Sequence, residues 1–244
     1  RILISGVGPV RDITLEMVPS TLEIAENRRK CLDAIVEEFQ RSGVTVTDGP
    51  IYRLEAWTVG ERLHLKVSRR SYFDSVLLKR FPEWGLRSRV LALVAVTLCP
   101  DGYLVEQRSA KVASLPGMLH PLPSGSVEPP AHPLDTLFHE ATEEIGLEPE
   151  ELRDILCLGL VYGELSGVFQ LVCRSTVSVP RSELEKRSCS GAWEKDSLLF
   201  APAEAEPLGD WLREHRSRLT VGGRTALVME GARRFGEEWL NENL

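Results

Sequence analysis

The stretch Pro133 to Ile145, reading PLDTLFHEATEEI, constrains this chain more than any other segment. Pro133 suits a first helical position, Asp135 complements the positive end of the helix dipole, and Gly146 is placed to end the helix in a left-handed conformation. The pattern therefore predicts a helix over 133–145. At roughly 100° per residue, Leu134, Leu137, Phe138, Ala141 and Ile145 form one stripe, which demands a core to cover it. Glu140, Glu143 and Glu144, at positions i, i+3 and i+4, gather on the other side. Carboxylates this close repel one another, and a divalent cation removes the repulsion; oxygen ligands on one rigid face suit Mg²⁺ or Mn²⁺. A solvated acidic surface is the other reading of the same three residues.

The rest of the chain mixes strands and helices around this segment. ILISG near the start reads as a strand, and an amphipathic helix is expected at about Glu23–Arg41. In IYRLEAWTVGERLHLKVS, Ile51, Leu54 and Trp57 precede a Gly60-Glu61 turn. Leu63, Leu65 and Val67 then alternate with polar residues, which predicts a hairpin with one buried face. A short helix over Ser71–Arg80 and an FPEWG connection follow. The apolar run Val90–Leu98 turns at Pro100-Asp101-Gly102 and returns through Tyr103–Arg108 as a second hairpin. A Pro- and Gly-rich loop, LPGMLHPLPSG, leads to the acidic helix. Beyond it are expected strands at Ile155–Tyr162 and Val168–Val177, a short helix containing Trp211, and one long helix from about Gly223 to Trp239. Strands and helices in this order imply a mixed sheet with helices packed on it.

Composition narrows the function. The 244 residues carry a formal charge of −7, which disfavours nucleic acid and anionic membrane as partners. Five scattered cysteines, none in CxxC spacing, suggest neither a disulfide framework nor a zinc knuckle and are consistent with a reducing cytoplasm. The longest apolar run is too short to cross a bilayer. The chain begins at Arg1, so sequence upstream of it is expected. No GxxxxGK loop and no GxSxG elbow occurs, which leaves NTPase and serine-hydrolase readings without support.

Gly125, Glu140, Ala141, Glu143, Glu144, Gly146 and Leu147 together resemble the box of the Nudix hydrolases, with no gap in spacing. Ala131 stands where that family has an upstream Glu, and His139 where it has an Arg that orients the next glutamate; Glu128 lies in the same loop. The resemblance implies an α/β (α+β) Nudix fold, a mixed sheet sandwiched between helices. It divides the chain into an N-terminal α/β extension (residues 1–86) packed on a Nudix domain (residues 87–244). RSAKVASLPGMLHPLPSGSVEP and the Ser71-Tyr72-Phe73-Asp74 segment are more weakly similar to the branch containing an animal UDP-glucose/UDP-galactose hydrolase.

The activity so implied is metal-dependent cleavage of a phosphoanhydride bond in a nucleoside diphosphate linked to another moiety, an NDP-sugar being one candidate. Glu140, Glu143 and Glu144 are the expected ligands of Mg²⁺ or Mn²⁺. Glu140 or the loop carboxylate Glu194 accepts the proton of the attacking water, and His139 orients its neighbour. Arg108, Arg87 and Arg70 are candidates to hold phosphate oxygens, with Tyr72, or Trp193, against a base and Gly125 lining the site. His120 and His132 are expected at the surface. The competing class is a Nudix-fold binding module that senses a nucleotide without cutting it. The sequence leaves oligomeric state open, and the family resemblance is compatible with a homodimer.

Overall fold

The computed structural model describes residues 1–243. In chain order its elements are β1 (Ile2–Pro9), β2 (Thr14–Met17), α1 (Glu26–Arg29), α2 (Cys31–Arg41), β3 (Pro50–Val59), β4 (Leu63–Ser71) and α3 (Tyr72–Arg80). Then come β5 (Val90–Cys99), β6 (Gly102–Arg108), β7 (Leu119–Pro121), β8 (Ser124–Ser126) and α4 (Pro133–Glu140), which runs into a π turn over Ala141–Ile145. The chain finishes with β9 (Arg153–Gly163), β10 (Val168–Thr176), α5 (Arg181–Leu184), β11 (Lys195–Ala201), α6 (Ala205–Glu214), α7 (Val221–Phe235) and α8 (Glu237–Asn243).

These strands form one mixed sheet in the order β1-β9-β10-β5-β3-β4-β2, from which β6 branches off β5 and carries β7 and β11, while β8 also pairs with β5. The β10–β5 and β2–β4 pairs are parallel and the rest antiparallel. The central strand shows why both faces are covered. Leu91, Leu93 and Ala95 of β5 point into a core shared with Leu137, Ala141 and Ile145 of the acidic helix, whereas Val94 and Val96 point into a second core capped by α6, α7 and α8. The sheet is thus sandwiched between helices, as the alternation of apolar runs and helical stripes predicts.

Residues 1–86 share that sheet: β1 pairs along β9, and Arg53 of β3 pairs with Val90 of β5. Leu54, Leu63, Leu65 and Val67 of the β3–β4 hairpin lie in the first core beside Leu91 and Leu93. The three-residue spacing of Ile51, Leu54 and Trp57 is reconciled with a strand by a bulge between Leu54 and Ala56. A third, smaller core joins α2 to α3 through Ile35, Val76, Leu77 and Leu78.

Several expectations need correction. The helix expected from Glu23 starts at Glu26 and is interrupted at Lys30, because Leu22 and Ile24 enter the third core as extended chain. The supposed loop LPGMLHPLPSG contains β7 and the start of β8, whose backbone groups find partners on β6 and β5; only tertiary pairing could reveal them. The long terminal helix breaks at Gly236, with φ 89°, and folds back so that Trp239 packs over Gly231, where a Cβ would lie 2.2 Å from the indole ring. The acidic segment ends in a π turn rather than regular α-helix, and Gly146 closes it at φ 71°. No helix among the described residues is long and apolar enough to cross a membrane.

Candidate active site

The site begins with how α4 is anchored. His132 is its N-cap, accepting from Leu134 N at 3.1 Å, while its own amide donates to Asp135 Oδ2 at 3.1 Å and its Nε2 lies 2.7 Å from the Ile13 carbonyl. The apolar stripe then fixes the helix on the sheet with Leu137, Ala141 and Ile145 almost wholly buried. This leaves the glutamates directed along the loop that carries Gly125.

Gly125 is required here for a steric reason. A Cβ added at this position would sit 1.9 Å from Glu140 Oε1, so the carboxylate lies directly over the bare backbone of β8. One residue earlier, the amide of Ser124 donates to Glu144 Oε2 at 2.9 Å. The spacing from Gly125 to the glutamates is therefore the distance at which one strand presents its backbone to the side chains of the packed helix.

The three glutamates differ in setting. Glu144 is only 5% exposed, Glu140 is half-buried, and the Glu143 side chain is 40% exposed. The sequence-based wheel places all three on one outward face; in the structure Glu144 turns inward. Among the described residues, the group whose ligand atoms lie within 4.8 Å of one another is His139, Glu140 and Glu143. His139 itself is largely exposed, with Nδ1 3.5 Å from Glu143 Oε2. Ser190 Oγ donates to Glu143 Oε1 at 3.4 Å, and Gly191 packs against the Glu143 carbonyl.

A further carboxylate joins them that the sequence reading missed. Glu106, on β6, is 1% exposed and accepts from Arg108 Nη1 at 2.8 Å. The two residues are i and i+2 on a strand and so share a face, which is the one signal that could have revealed the pair. Arg108 Nε donates to the Ser114 carbonyl at 3.0 Å, holding the guanidinium in place. Lys195, also unforeseen, donates its ammonium to the Glu144 carbonyl, to which Cys189 Sγ also donates at 3.2 Å.

Electrostatics shows how crowded this arrangement is. Burial, then Glu143 and Glu194, push the Glu140 carboxyl up to about 8. Glu144 is driven well above the carboxylate range by burial, then by Glu140 and Glu106, with the Ser124 amide opposing. Glu106 rises to about 7 through burial, against the pull of Arg108. Glu194, half-buried, is also raised, by burial and by Glu143.

The other candidates divide. Tyr72 lies within electrostatic reach of Arg108 and Glu194, and burial raises its phenol. Trp193, 43% exposed, stands next to Glu194 on the turn that packs against Glu143. Arg70 is engaged with Asp74 at 2.7 Å and lines a separate cavity with Arg29 and Arg69. Arg87 lines a small cavity beside the end of α3. His120 is not at the surface: it is 7% exposed with Nδ1 2.5 Å from Thr220 Oγ1, and burial, then Arg108, push it down to about 3. It is therefore a neutral packing group, drawn inward by strand β7.

No family model matches the chain, and no curated protein does. Solved structures it resembles include a bifunctional NMN adenylyltransferase/ADP ribose pyrophosphatase from Francisella tularensis, complexed with AMP and a Mn ion, at 14% identity and TM-score 0.45. That alignment covers 65% of this chain and 46% of the other, so the present chain spans under half the length of that protein. A Nudix hydrolase from Nitrosomonas europaea aligns at 17% identity and TM-score 0.40, over 59% of this chain and 88% of that one. A MutT protein from Methanosarcina mazei Go1 aligns at 14% and 0.43, over 61% and 96%. One of these three bears the name Nudix hydrolase, but likenesses of this strength carry no argument about activity, which rests on the chain's own residues.

Proposed function

We propose that this chain is a Nudix-type pyrophosphohydrolase that uses Mg²⁺ or Mn²⁺ to split a phosphoanhydride bond in a nucleoside diphosphate linked to another moiety, such as an NDP-sugar. The observation that carries the reading is the convergence of Glu140, Glu143, Glu144, Glu106 and Glu194 where the helix meets the Gly125 strand. Buried carboxylates usually have cationic or hydrogen-bonding partners, whereas the charged neighbours of Glu140 are other glutamates, and Glu144 has the Ser124 amide but otherwise Glu140, Glu106 and Glu194. Their oxygen donor set suits a hard divalent cation, so the residues present fit the metal that the box implies. Such an ion, held by Glu140, Glu143 and Glu144, would supply positive charge against the charge developing on the phosphoanhydride oxygens.

The chain's own side chains do the remaining work in this reading. Glu140 or Glu194 accepts the proton of the attacking water; burial raises both above the ordinary carboxylate value. Arg108, fixed by Glu106 and the Ser114 carbonyl, orients phosphate oxygens, and Tyr72 and Trp193 offer rings for a base. His139, exposed and 3.5 Å from Glu143, steadies that carboxylate. Residues 1–86 are proposed as an extension that walls the cleft, and residues 87–244 as the catalytic domain.

The test is incubation of folded protein with NDP-sugars, dinucleotides and nucleoside triphosphates in Mg²⁺ or Mn²⁺, with products resolved by chromatography. Two monophosphate-bearing products from one or more of these are expected; no turnover across the panel sinks the reading. Ala131 and His139, at two box positions, favour a second reading, a nucleotide sensor. Thermal stabilisation by nucleotide without product formation would establish it.

A further inference from the structure

One face of α3 is left without a role by the acid cluster. Tyr72 and Lys79 are separated by two helical turns and share a face, while Asp74 points away to Arg29 and Arg70. The shared face is the one turned toward Arg108: both side chains lie within its electrostatic reach. Lys79 is solvent-reachable as a residue, yet its ammonium sits in concave surroundings where burial, and then Arg108, lower its affinity for a proton. Among the described residues it has neither a hydrogen-bond nor an ion-pair partner.

Lys79 also lines a cavity of about 110 Å³ between the end of α3 and the β9–β10 turn. Arg87 and Ser88 face it from the connection to β5, Leu78 and Pro82 give it an apolar wall, and Glu164 is the one acid at its rim. The Arg87 guanidinium is bonded to the neighbouring Leu86 carbonyl and has no carboxylate partner among the described residues. Two cations that face one hollow with a single acid between them repel each other until an anion enters.

We propose that Lys79 and Arg87 form an anion-holding wall that takes a phosphate group of a nucleotide. The identity of the ligand as a nucleotide rests on the hydrolase reading; the anion site rests on the two cations and the cavity. The wall is supplied by α3 and the segment after it, so the site is shared between the N-terminal residues and the sheet. Lys79 acts as a positioning residue, lowering KM without touching the bond that breaks.

Calorimetric titration of the full chain in EDTA, with uridine and UDP and with adenosine and ADP, tests this without requiring turnover. The diphosphates are expected to bind more tightly than their nucleosides. Lys79→Met and Arg87→Met should each weaken the tighter diphosphate roughly 10-fold, the scale of one charge-assisted hydrogen bond, and leave nucleoside affinity unchanged. Lys79→Arg should restore most of the loss, and circular dichroism and melting of each variant control for folding. Diphosphate affinity unchanged in both variants, an equal loss for nucleoside and diphosphate, or no diphosphate binding by the native chain overturns the proposal. If binding depends on Lys79 but no substrate is cut, the hydrolase reading fails alone; if substrate is cut with KM indifferent to Lys79, the wall fails alone.

Discussion

Glu55, on the β3–β4 hairpin, and Glu144, which lies deeper at the end of the acidic helix, both have largely covered side chains and have opposite fates. The Glu55 side chain is 7% exposed. Burial raises its carboxyl, but the Arg53 guanidinium together with the hydroxyls of Ser68 and Thr21, each 2.6 Å away, outweigh that and hold it at about 2. Glu144 has one amide donor and acids for neighbours, so every larger influence pushes it up. The hairpin has its charge satisfied within the fold, whereas the helix end crowds acids together with one amide donor between them. Buried polar groups left in this state are where function concentrates, because no stabilising purpose is served by them.

The sharpest way to break this comparison is to neutralise each acid in turn. Glu144→Gln and Glu140→Gln should lower hydrolysis roughly 10²–10⁴-fold, the range for a removed catalytic group, while leaving the metal-free melting temperature unchanged or higher, since repulsion is relieved. A parallel loss of stability and activity in these variants would place Glu144 with Glu55 as a structural acid. Next in size is Gly125→Ala. Its methyl must displace the Glu140 carboxylate, and an activity loss of roughly 10²-fold with an intact circular dichroism spectrum is expected from misplacement alone.

Glu55→Gln should do the reverse, destabilising the chain by about 1–3 kcal/mol in urea titration while kcat/KM stays within about twofold. The pH dependence carries opposite signs at the two places. Glu55 is depressed to about 2, so its contribution is complete above the ordinary carboxylate value of 4.5 and is lost as pH falls toward 2. Glu140 is raised to about 8, so in chelator its contribution is complete below 4.5 and is lost as pH rises toward 8. Urea midpoints against pH should therefore lose their acid limb in Glu55→Gln and their alkaline limb in Glu140→Gln; identical curves would erase the distinction. The smallest effect is expected at Arg70, whose guanidinium serves Asp74. Arg70→Met should cost about 1 kcal/mol, because Asp74 keeps Arg29, and should change kcat/KM by less than about twofold.

Much of the frame was legible from local pattern. The β3–β4 and β5–β6 hairpins follow from alternation and turn residues, and the boundaries of the acidic helix from Pro133 and Gly146. Misreadings came where a local signal was overridden from a distance. Gly236 lies inside a helical periodicity, and only the seat that Gly231 offers to Trp239 turns the chain back there. His120 reads as a polar loop residue until β7 pairs with β6 and carries it inside.

By itself the sequence determined which residues bear charge at helical spacing and where backbone must be bare, since periodicity and the stereochemistry of Gly and Pro act over a few residues. Tertiary structure alone decided that Glu144 faces inward while Glu143 does not, that Glu106 and Arg108 meet the helix end, and that α3 turns Tyr72 and Lys79 toward them. Burial and charge proximity depend on groups far apart in the chain. A carboxylate's behaviour is therefore fixed only when the sheet brings those groups together.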